Sequence, residues 1–125
     1  MSQLGPKYEI LVVDDSPVYR KLVEQILANQ PFSLLFARNG KEALELYEQV
    51  HPTLVTMDLT MPEMDGADCV AHLVARDPDI RILVVSALSD KMTAIDAIDR
   101  GASGFLCKPF TDRQLNDALR KLIQT

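Results

Sequence analysis

The stretch ILVVDDSP, residues 10–17, decides the fold. Its four consecutive apolar residues are typical of a strand that is buried on both faces, as in a parallel sheet. Ser16 followed by Pro17 is a helix N-cap with proline at the first helical position. The segment therefore predicts a buried strand that passes into a helix through a pair of adjacent acidic residues, Asp14 and Asp15.

The same alternation of an apolar run and a helix-period segment recurs along the whole chain. The predicted strands are Tyr8–Val13, Ser33–Ala37, Thr53–Met57, Arg81–Val85 and Gly104–Cys107. Short connections between strands and helices in series imply right-handed crossovers and a parallel sheet with helices on both faces. We therefore predict an α/β fold, a doubly wound five-stranded parallel sheet, in one domain over residues 8–125 after a flexible segment at 1–7.

Residues with helical spacing indicate which face of each helix meets the sheet. In chain order they are Val18, Leu22 and Ile26; Ala43, Tyr47 and Val50; Val70, Leu73 and Val74; Met92, Ile95 and Ile98; and Leu115, Leu119 and Leu122. Helix starts are also predicted where Asn39 precedes Glu42 and Thr111 precedes Gln114, as in a capping box. Gly101 is expected to end the fourth helix in a left-handed conformation.

Bulk composition limits the function classes. The 125 residues carry a formal net charge of −5, which argues against direct nucleic-acid binding through a basic surface. No apolar run approaches the roughly 20 residues of a membrane span, and the start lacks a signal-peptide core, so a cytoplasmic location is expected. Cys69 and Cys107 stand far apart, outside any metal-binding pattern, and are predicted to be buried free thiols.

Chemically active residues follow the ends of the predicted strands. Asp14 and Asp15 follow the first strand, Asp58 the third, Ser86 the fourth and Lys108 the fifth. The carboxyl ends of parallel strands meet at one sheet edge, where open α/β sheets bind ligands. Three carboxylates at one place repel each other and need a cation, and oxygen-only ligands favour a hard ion such as Mg²⁺. A phosphoryl site is the natural interpretation.

Two longer motifs strengthen this interpretation. The segment MDLTMPEMDG, residues 57–66, and the segment GASGFLCKPF, residues 101–110, accompany the acidic pair and Ser86 in the expected order. Together they resemble the response-regulator receiver domain of two-component signalling, over nearly the whole chain. The resemblance implies a flavodoxin-like sheet with strand order 2-1-3-4-5 and a cis peptide bond before Pro109.

The resemblance also implies roles for individual residues. Asp58 is expected to accept a phosphoryl group from a histidine kinase or a histidine phosphotransfer protein. Mg²⁺ is expected to bind Asp15, Asp58 and the backbone carbonyl of Thr60, with Asp14 acting through water. Lys108 is expected to supply a positive charge to the phosphoryl oxygens.

A conformational switch is implied as well. Ser86 is expected to hydrogen-bond the phosphoryl group, and Phe105 is expected to turn inward as the loop after the fourth strand closes. The surface formed by the fourth helix, the fifth strand and the fifth helix would then change its affinity for a downstream effector protein. The domain is also expected to speed its own dephosphorylation, with Thr60 and Leu88 tuning the lifetime.

Three alternatives stay open at this stage. A phosphatase of the haloacid dehalogenase type also uses a nucleophilic aspartate, Mg²⁺ and a lysine, but it needs an Asp-x-Asp pair where this chain has adjacent aspartates. A pure interaction module would bind partners without taking phosphate. The chain could also be either a stand-alone protein or the input domain of a larger regulator, because residues 1–125 contain no output element.

Overall fold

A computed structural model of the chain describes residues 8–61, 66–87 and 91–124. The strands are β1 (Tyr8–Val13), β2 (Phe32–Ala37), β3 (Leu54–Asp58), β4 (Arg81–Ala87) and β5 (Gly104–Lys108). The helices are α1 (Pro17–Leu27), α2 (Gly40–Val50), α3 (Gly66–Arg76), α4 (Lys91–Asp99) and α5 (Asp112–Gln124). The predicted flexible segment at 1–7 and the predicted lifetime position Leu88 lie outside the described residues.

The strands form one parallel sheet in the order β2-β1-β3-β4-β5, which confirms the predicted fold class. Alternate residues of the central strands enter two separate cores. Leu11, Val55 and Ile82 pack with residues of α2, α3 and α4 on one face, while Ile10, Leu54 and Leu83 pack with residues of α1 and α5 on the other. Because both faces are covered, the carboxyl edge is where this sheet exposes polar groups.

Three strands end later than their apolar runs predict. β3 includes Asp58, β5 includes Lys108, and β4 continues through Ser86 to Ala87. The reason is that ladder pairing continues past the apolar residues, with Asp58 opposite Val85 and Ala87 opposite Lys108. The polar residues are therefore held by strand geometry rather than by loops, which fixes the directions of their side chains.

The predicted helix signals are present. The Ser16 hydroxyl oxygen accepts the Tyr19 N–H at 3.3 Å, and Thr111 and Gln114 exchange both bonds of a capping box. Asn39 accepts the Glu42 N–H at 2.9 Å, but the Glu42 carboxylate accepts from the Arg38 N–H instead of from Asn39. Gly101 has a φ of 118°, as expected for the position that ends α4.

Two predicted helix faces are wrong in part. Val18 in α1 is 72% exposed, and the core side of that helix carries Val23 and Leu27. In α4 the buried residues are Ala94 and Ala97, whereas the three larger apolar residues are exposed: Met92, Ile95 and Ile98. The small alanines meet the core, so the bulky side chains of α4 form an outward-facing apolar surface. No helix within the described ranges is long and apolar enough to cross a membrane.

Candidate functional site

Asp14 is fixed by hydrogen bonds on several sides at the end of β1. Its Oδ1 accepts the Ser16 N–H at 2.9 Å, and its Oδ2 accepts from Lys108 Nζ at 2.9 Å. Arg20 Nη1 donates to the Asp14 backbone carbonyl at 2.6 Å. The two adjacent aspartates therefore differ in their surroundings. Asp14 is buried and hydrogen-bonded, whereas Asp15 is exposed at the edge of the site.

Asp58 is a buried carboxylate at the last position of β3. Its Oδ1 accepts the Thr60 N–H at 3.1 Å and lies 3.8 Å from Lys108 Nζ. Burial raises the pKa of Asp58 to about 7, and the negative charges of Asp14 and Asp15 act in the same direction. The Thr60 hydrogen bond and the Lys108 charge oppose that rise in pKa. The site therefore disfavours a third negative charge unless a further cation is supplied.

The three carboxylates meet as the sequence predicts. Ligand oxygens of Asp14, Asp15 and Asp58 all lie within 4.8 Å of one another. The donor set is oxygen only, two of its members are buried, and burial together with the charges of Asp14 and Asp15 raises the pKa of Asp58. These features fit a hard divalent cation such as Mg²⁺, which takes carboxylate oxygens and keeps several waters.

Lys108 reaches the cluster from the last position of β5. Its ammonium contacts Asp14 at 2.9 Å and lies 3.9 Å from the centroid of the Tyr19 ring. The peptide bond between Lys108 and Pro109 is cis, as the resemblance implies. β5 therefore places the Lys108 ammonium beside the carboxylates at the carboxyl edge of the sheet, where protein groups surround it.

The two predicted switch residues lie at different depths. Ser86 is buried, follows Val85, the ladder partner of Asp58, and donates its hydroxyl to the Ala87 carbonyl at 3.4 Å. Phe105 is 41% exposed and lines an apolar groove of about 350 Å³ with residues of α4. Ser86 therefore lies one residue beyond the strand position that pairs with Asp58, whereas Phe105 faces outward at the surface of α4 and β5.

Three residues at the site were not predicted from the sequence to act there. Tyr19 contacts the Lys108 ammonium, Arg20 holds the Asp14 carbonyl, and Gly66 packs against the backbone after Asp58. Tyr19 and Arg20 follow the Ser16 cap, and their place in the first turn of α1 indicates that they lie close to the acidic pair. The sequence carried no signal for which way either side chain turns.

The sequence profile of the response regulator receiver domain matches residues 10–120. The chain belongs to the response-regulator receiver family. This assignment excludes the haloacid dehalogenase alternative, which the adjacent aspartates already disfavoured. Members of the receiver family are signalling domains rather than classical enzymes.

Individual relatives support the assignment of this chain to the receiver family. The chemotaxis protein CheY of Listeria monocytogenes is 38% identical over 114 residues, covering 90% of this chain and 96% of that protein. The signal receiver domain of an HD domain-containing protein from Pseudomonas fluorescens has a TM-score of 0.90 at 30% identity, covering 94% of this chain and 95% of that one. CheY in the CheX-CheY-BeF3-Mg²⁺ complex from Borrelia burgdorferi has a TM-score of 0.89 at 30% identity, covering 95% of this chain and 91% of that one. Receivers similar to this one thus occur both alone and within larger proteins.

Proposed function

We propose that Asp58 of this receiver domain is the residue that takes a phosphoryl group, and that a histidine kinase or a histidine phosphotransfer protein supplies it. The observation that carries the proposal is the convergence at one sheet edge of three carboxylates within 4.8 Å, with Lys108 Nζ 2.9 Å from Asp14 and 3.8 Å from Asp58. Asp58 is the best acceptor among the three, because it is buried and held by β3 and Thr60, whereas Asp15 is exposed and both oxygens of Asp14 already accept hydrogen bonds.

In the transfer, an Asp58 carboxylate oxygen forms a bond to phosphorus while the bond from phosphorus to the histidine nitrogen of the donor breaks. The imidazole leaves with the electron pair of that bond and takes a proton from solvent, and Asp58 becomes an acyl phosphate. Phosphoryl transfer depends mainly on positioning and on charge stabilisation. A site that aligns Asp58 and places the positive charge of Lys108 3.8 Å from it therefore supplies part of what the reaction needs, and a bound cation would supply the rest.

Asp14, Asp15, Asp58 and the backbone carbonyl of Thr60 are the groups that would hold Mg²⁺, Asp14 through water. Mg²⁺, when bound, offsets the repulsion between the acidic cluster and the incoming phosphoryl oxygens. The CheX-CheY complex from Borrelia burgdorferi contains Mg²⁺, which supports this part of the proposal. Lys108 adds a second positive charge that the protein itself provides.

The switch would start at Ser86. Its hydroxyl is buried at the carboxyl end of β4 and, among the described residues, makes a long 3.4 Å bond to the next carbonyl, so it can turn to donate to a phosphoryl oxygen. That movement would draw the carboxyl end of β4 toward the site. Phe105, which lies outward in this structure, would then turn inward.

The surface of α4, β5 and α5 would carry the output. Ile95, Ile98 and Phe105 line an apolar groove, and Lys91 and Asp99 contribute charged groups to its lining. An inward turn of Phe105 removes one wall of this groove, so phosphorylation would change its affinity for an effector protein. Exposed apolar patches of this kind commonly mark protein-binding sites.

The proposal also includes a limited lifetime for the phosphorylated state. Thr60 is exposed beside Asp58, where it can affect the access of water to the acyl phosphate. Self-catalysed dephosphorylation at this position, the cytoplasmic location and the lack of direct nucleic-acid binding expected from the sequence stay part of the proposal.

Intact-protein mass spectrometry after incubation with acetyl phosphate tests the proposal. We expect a gain of one phosphoryl group that requires Mg²⁺ and that is absent in Asp58→Asn. Asp77→Asn is a matched control, because Asp77 lies beyond the carboxyl end of α3 and bonds the Tyr47 hydroxyl at 3.1 Å. Unlabelled but folded wild-type protein would favour an interaction module that works without phosphate, and labelling that persists in Asp58→Asn would place the acceptor elsewhere.

A further inference from the structure

An aromatic ring forms one wall of the lysine site. Tyr19 lies in the first turn of α1, where its backbone N–H is bonded to the Ser16 cap. Its ring centroid is 3.9 Å from Lys108 Nζ. The same ring packs against Phe110 with the centroids 5.7 Å apart and the planes tilted by 54°. Tyr19 thus connects the helix that follows β1 to the segment that follows β5.

The Lys108 ammonium is held by two kinds of group at once. Asp14 and Asp58 attract it at 2.9 Å and 3.8 Å, and the face of the Tyr19 ring attracts it through the negative charge of the π system. Only 16% of the Lys108 side chain is exposed. A lysine has four rotatable methylene groups and loses much conformational freedom when it is fixed, so a wall that limits its rotamers favours the bound arrangement.

We propose that Tyr19 is a positioning residue for Lys108, which holds the ammonium against the acidic cluster before a phosphoryl group arrives. The inference rests on the proposed function in one respect, namely that Lys108 is the group that meets the phosphoryl oxygens. A charge that is already in place needs no reorganisation during transfer, so loss of the ring lowers the rate of phosphorylation. Tyr19 itself need not touch the phosphoryl group.

A purely structural role would leave Lys108 unaffected. Tyr19 and Phe110 could simply cover the core, as an aromatic pair does at the other end of the sheet. Tyr8 and Phe32 form that second pair, with ring centroids 6.3 Å apart and planes tilted by 51°. Tyr8→Leu is therefore a matched control that removes a similar tyrosine–phenylalanine contact away from the lysine.

The direct test is the NMR shift of the Lys108 ε-methylene protons in the full chain, assigned by their loss in Lys108→Arg. Protons over an aromatic face are shifted upfield, so we expect an upfield signal in the wild type and in Tyr19→Phe. In Tyr19→Leu we expect the signal to move to the position of exposed lysines. A wild-type signal that already lies at the exposed-lysine position overturns the inference without any variant.

The functional test is the rate of phosphorylation by acetyl phosphate at saturating Mg²⁺. We expect Tyr19→Leu to slow it about 2- to 30-fold, the range that corresponds to loss of one cation–π contact. Tyr19→Phe and Tyr8→Leu should both stay within about twofold of the wild type. An unchanged rate and shift in folded Tyr19→Leu, or a Tyr19→Phe as slow as Tyr19→Leu, overturns the inference. If the wild type takes no phosphoryl group, the proposed function fails, while the lysine shift still decides whether Tyr19 holds Lys108.

Discussion

Gly66, the first residue of α3, lies against the backbone of Asp58, the last residue of β3. A Cβ atom at position 66 would be 2.6 Å from the Leu59 Cα and would also clash with the Asp58 carbonyl oxygen. The Gly66 N–H donates to the Leu59 carbonyl at 3.4 Å, which holds the start of the helix at this distance. The absence of a side chain at position 66 therefore lets α3 approach the strand end that carries Asp58.

Gly66→Ala should destabilise the protein and disturb Asp58. The clash involves backbone atoms, which cannot move aside as a flexible side chain can, so we expect a loss of about 1–3 kcal/mol in the free energy of unfolding. Urea denaturation measures this loss, and phosphorylation by acetyl phosphate should slow in the same variant. Gly104→Ala is the matched control, because its added Cβ would meet Leu83 Cδ1 at an ordinary 3.5 Å. Equal stability of the two variants would contradict the close approach.

Asp15→Ala should weaken Mg²⁺ binding with little effect on folding. Asp15 is the exposed member of the acidic cluster, so its carboxylate contributes to the ion site without supporting the core. We expect the dissociation constant to rise at least about tenfold, since even loss of groups that only orient ligands has effects of that size. Calorimetric titration with MgCl₂ provides the measurement. Asp79→Ala removes an exposed carboxylate beyond the end of α3, and the same weakening in that variant would point to net charge rather than to ligation.

Lys108→Ala should leave Mg²⁺ binding largely intact but blunt the conformational response. The lysine contacts Asp14 and Asp58 but is not a metal ligand, because an ammonium group has no lone pair to offer. With its charge removed, the phosphorylated state loses a group that connects β5 to the phosphoryl oxygens. We expect the amide NMR shift changes of Phe105 and α4 on phosphorylation to shrink. A full-sized response in Lys108→Ala would exclude the lysine from the switch.

The position of the site was predictable from the sequence, because its side chains lie at the ends of strands. The apolar run before Asp14 and the cap at Ser16 set where β1 stops and α1 begins, and the same logic places Asp58 and Lys108. Three of the five predicted strands end one or two residues early, because ladder pairing continues into polar residues. The surface of α4 was mispredicted for a different reason. Apolar spacing shows which side chains share a face of the helix, but not whether that face meets the core or a partner protein, because both surfaces have the same pattern. In α4 it is Ala94 and Ala97 that pack against the core.

Tyr19 marks the limit of sequence reasoning at the site itself. Its place one turn after the acidic pair is readable, and an amphipathic ring there is expected to cover the edge of the core. Its contact with Lys108 depends on how two side chains that are distant in sequence turn toward each other. Such a contact follows from packing in three dimensions, which no local pattern encodes.

The two cysteines should differ sharply in reactivity. Cys69 is fully buried in α3, and burial raises the pKa of its thiol to about 12, whereas Cys107 is only half-buried. Because the thiolate is the reactive form, iodoacetamide at neutral pH should modify Cys107 well before Cys69. Peptide mass spectrometry over a time course gives both rates. Equal rates in folded protein would mean that α3 opens readily.

The raised pKa of Cys69 also predicts sensitivity to alkali. The folded state holds the thiol neutral up to about pH 12, whereas the unfolded chain ionises near its ordinary pKa of 9.0. The stabilisation is therefore complete below pH 9 and is lost as the pH rises toward 12, by up to about 1.4 kcal/mol per pH unit. Tyr47, whose pKa is raised first by burial, adds loss in the same direction above its ordinary value of 10.0. Urea midpoints at pH 8 and pH 10 should fall more in the wild type than in Cys69→Ala, and parallel falls in the two proteins would assign the alkaline loss to other groups.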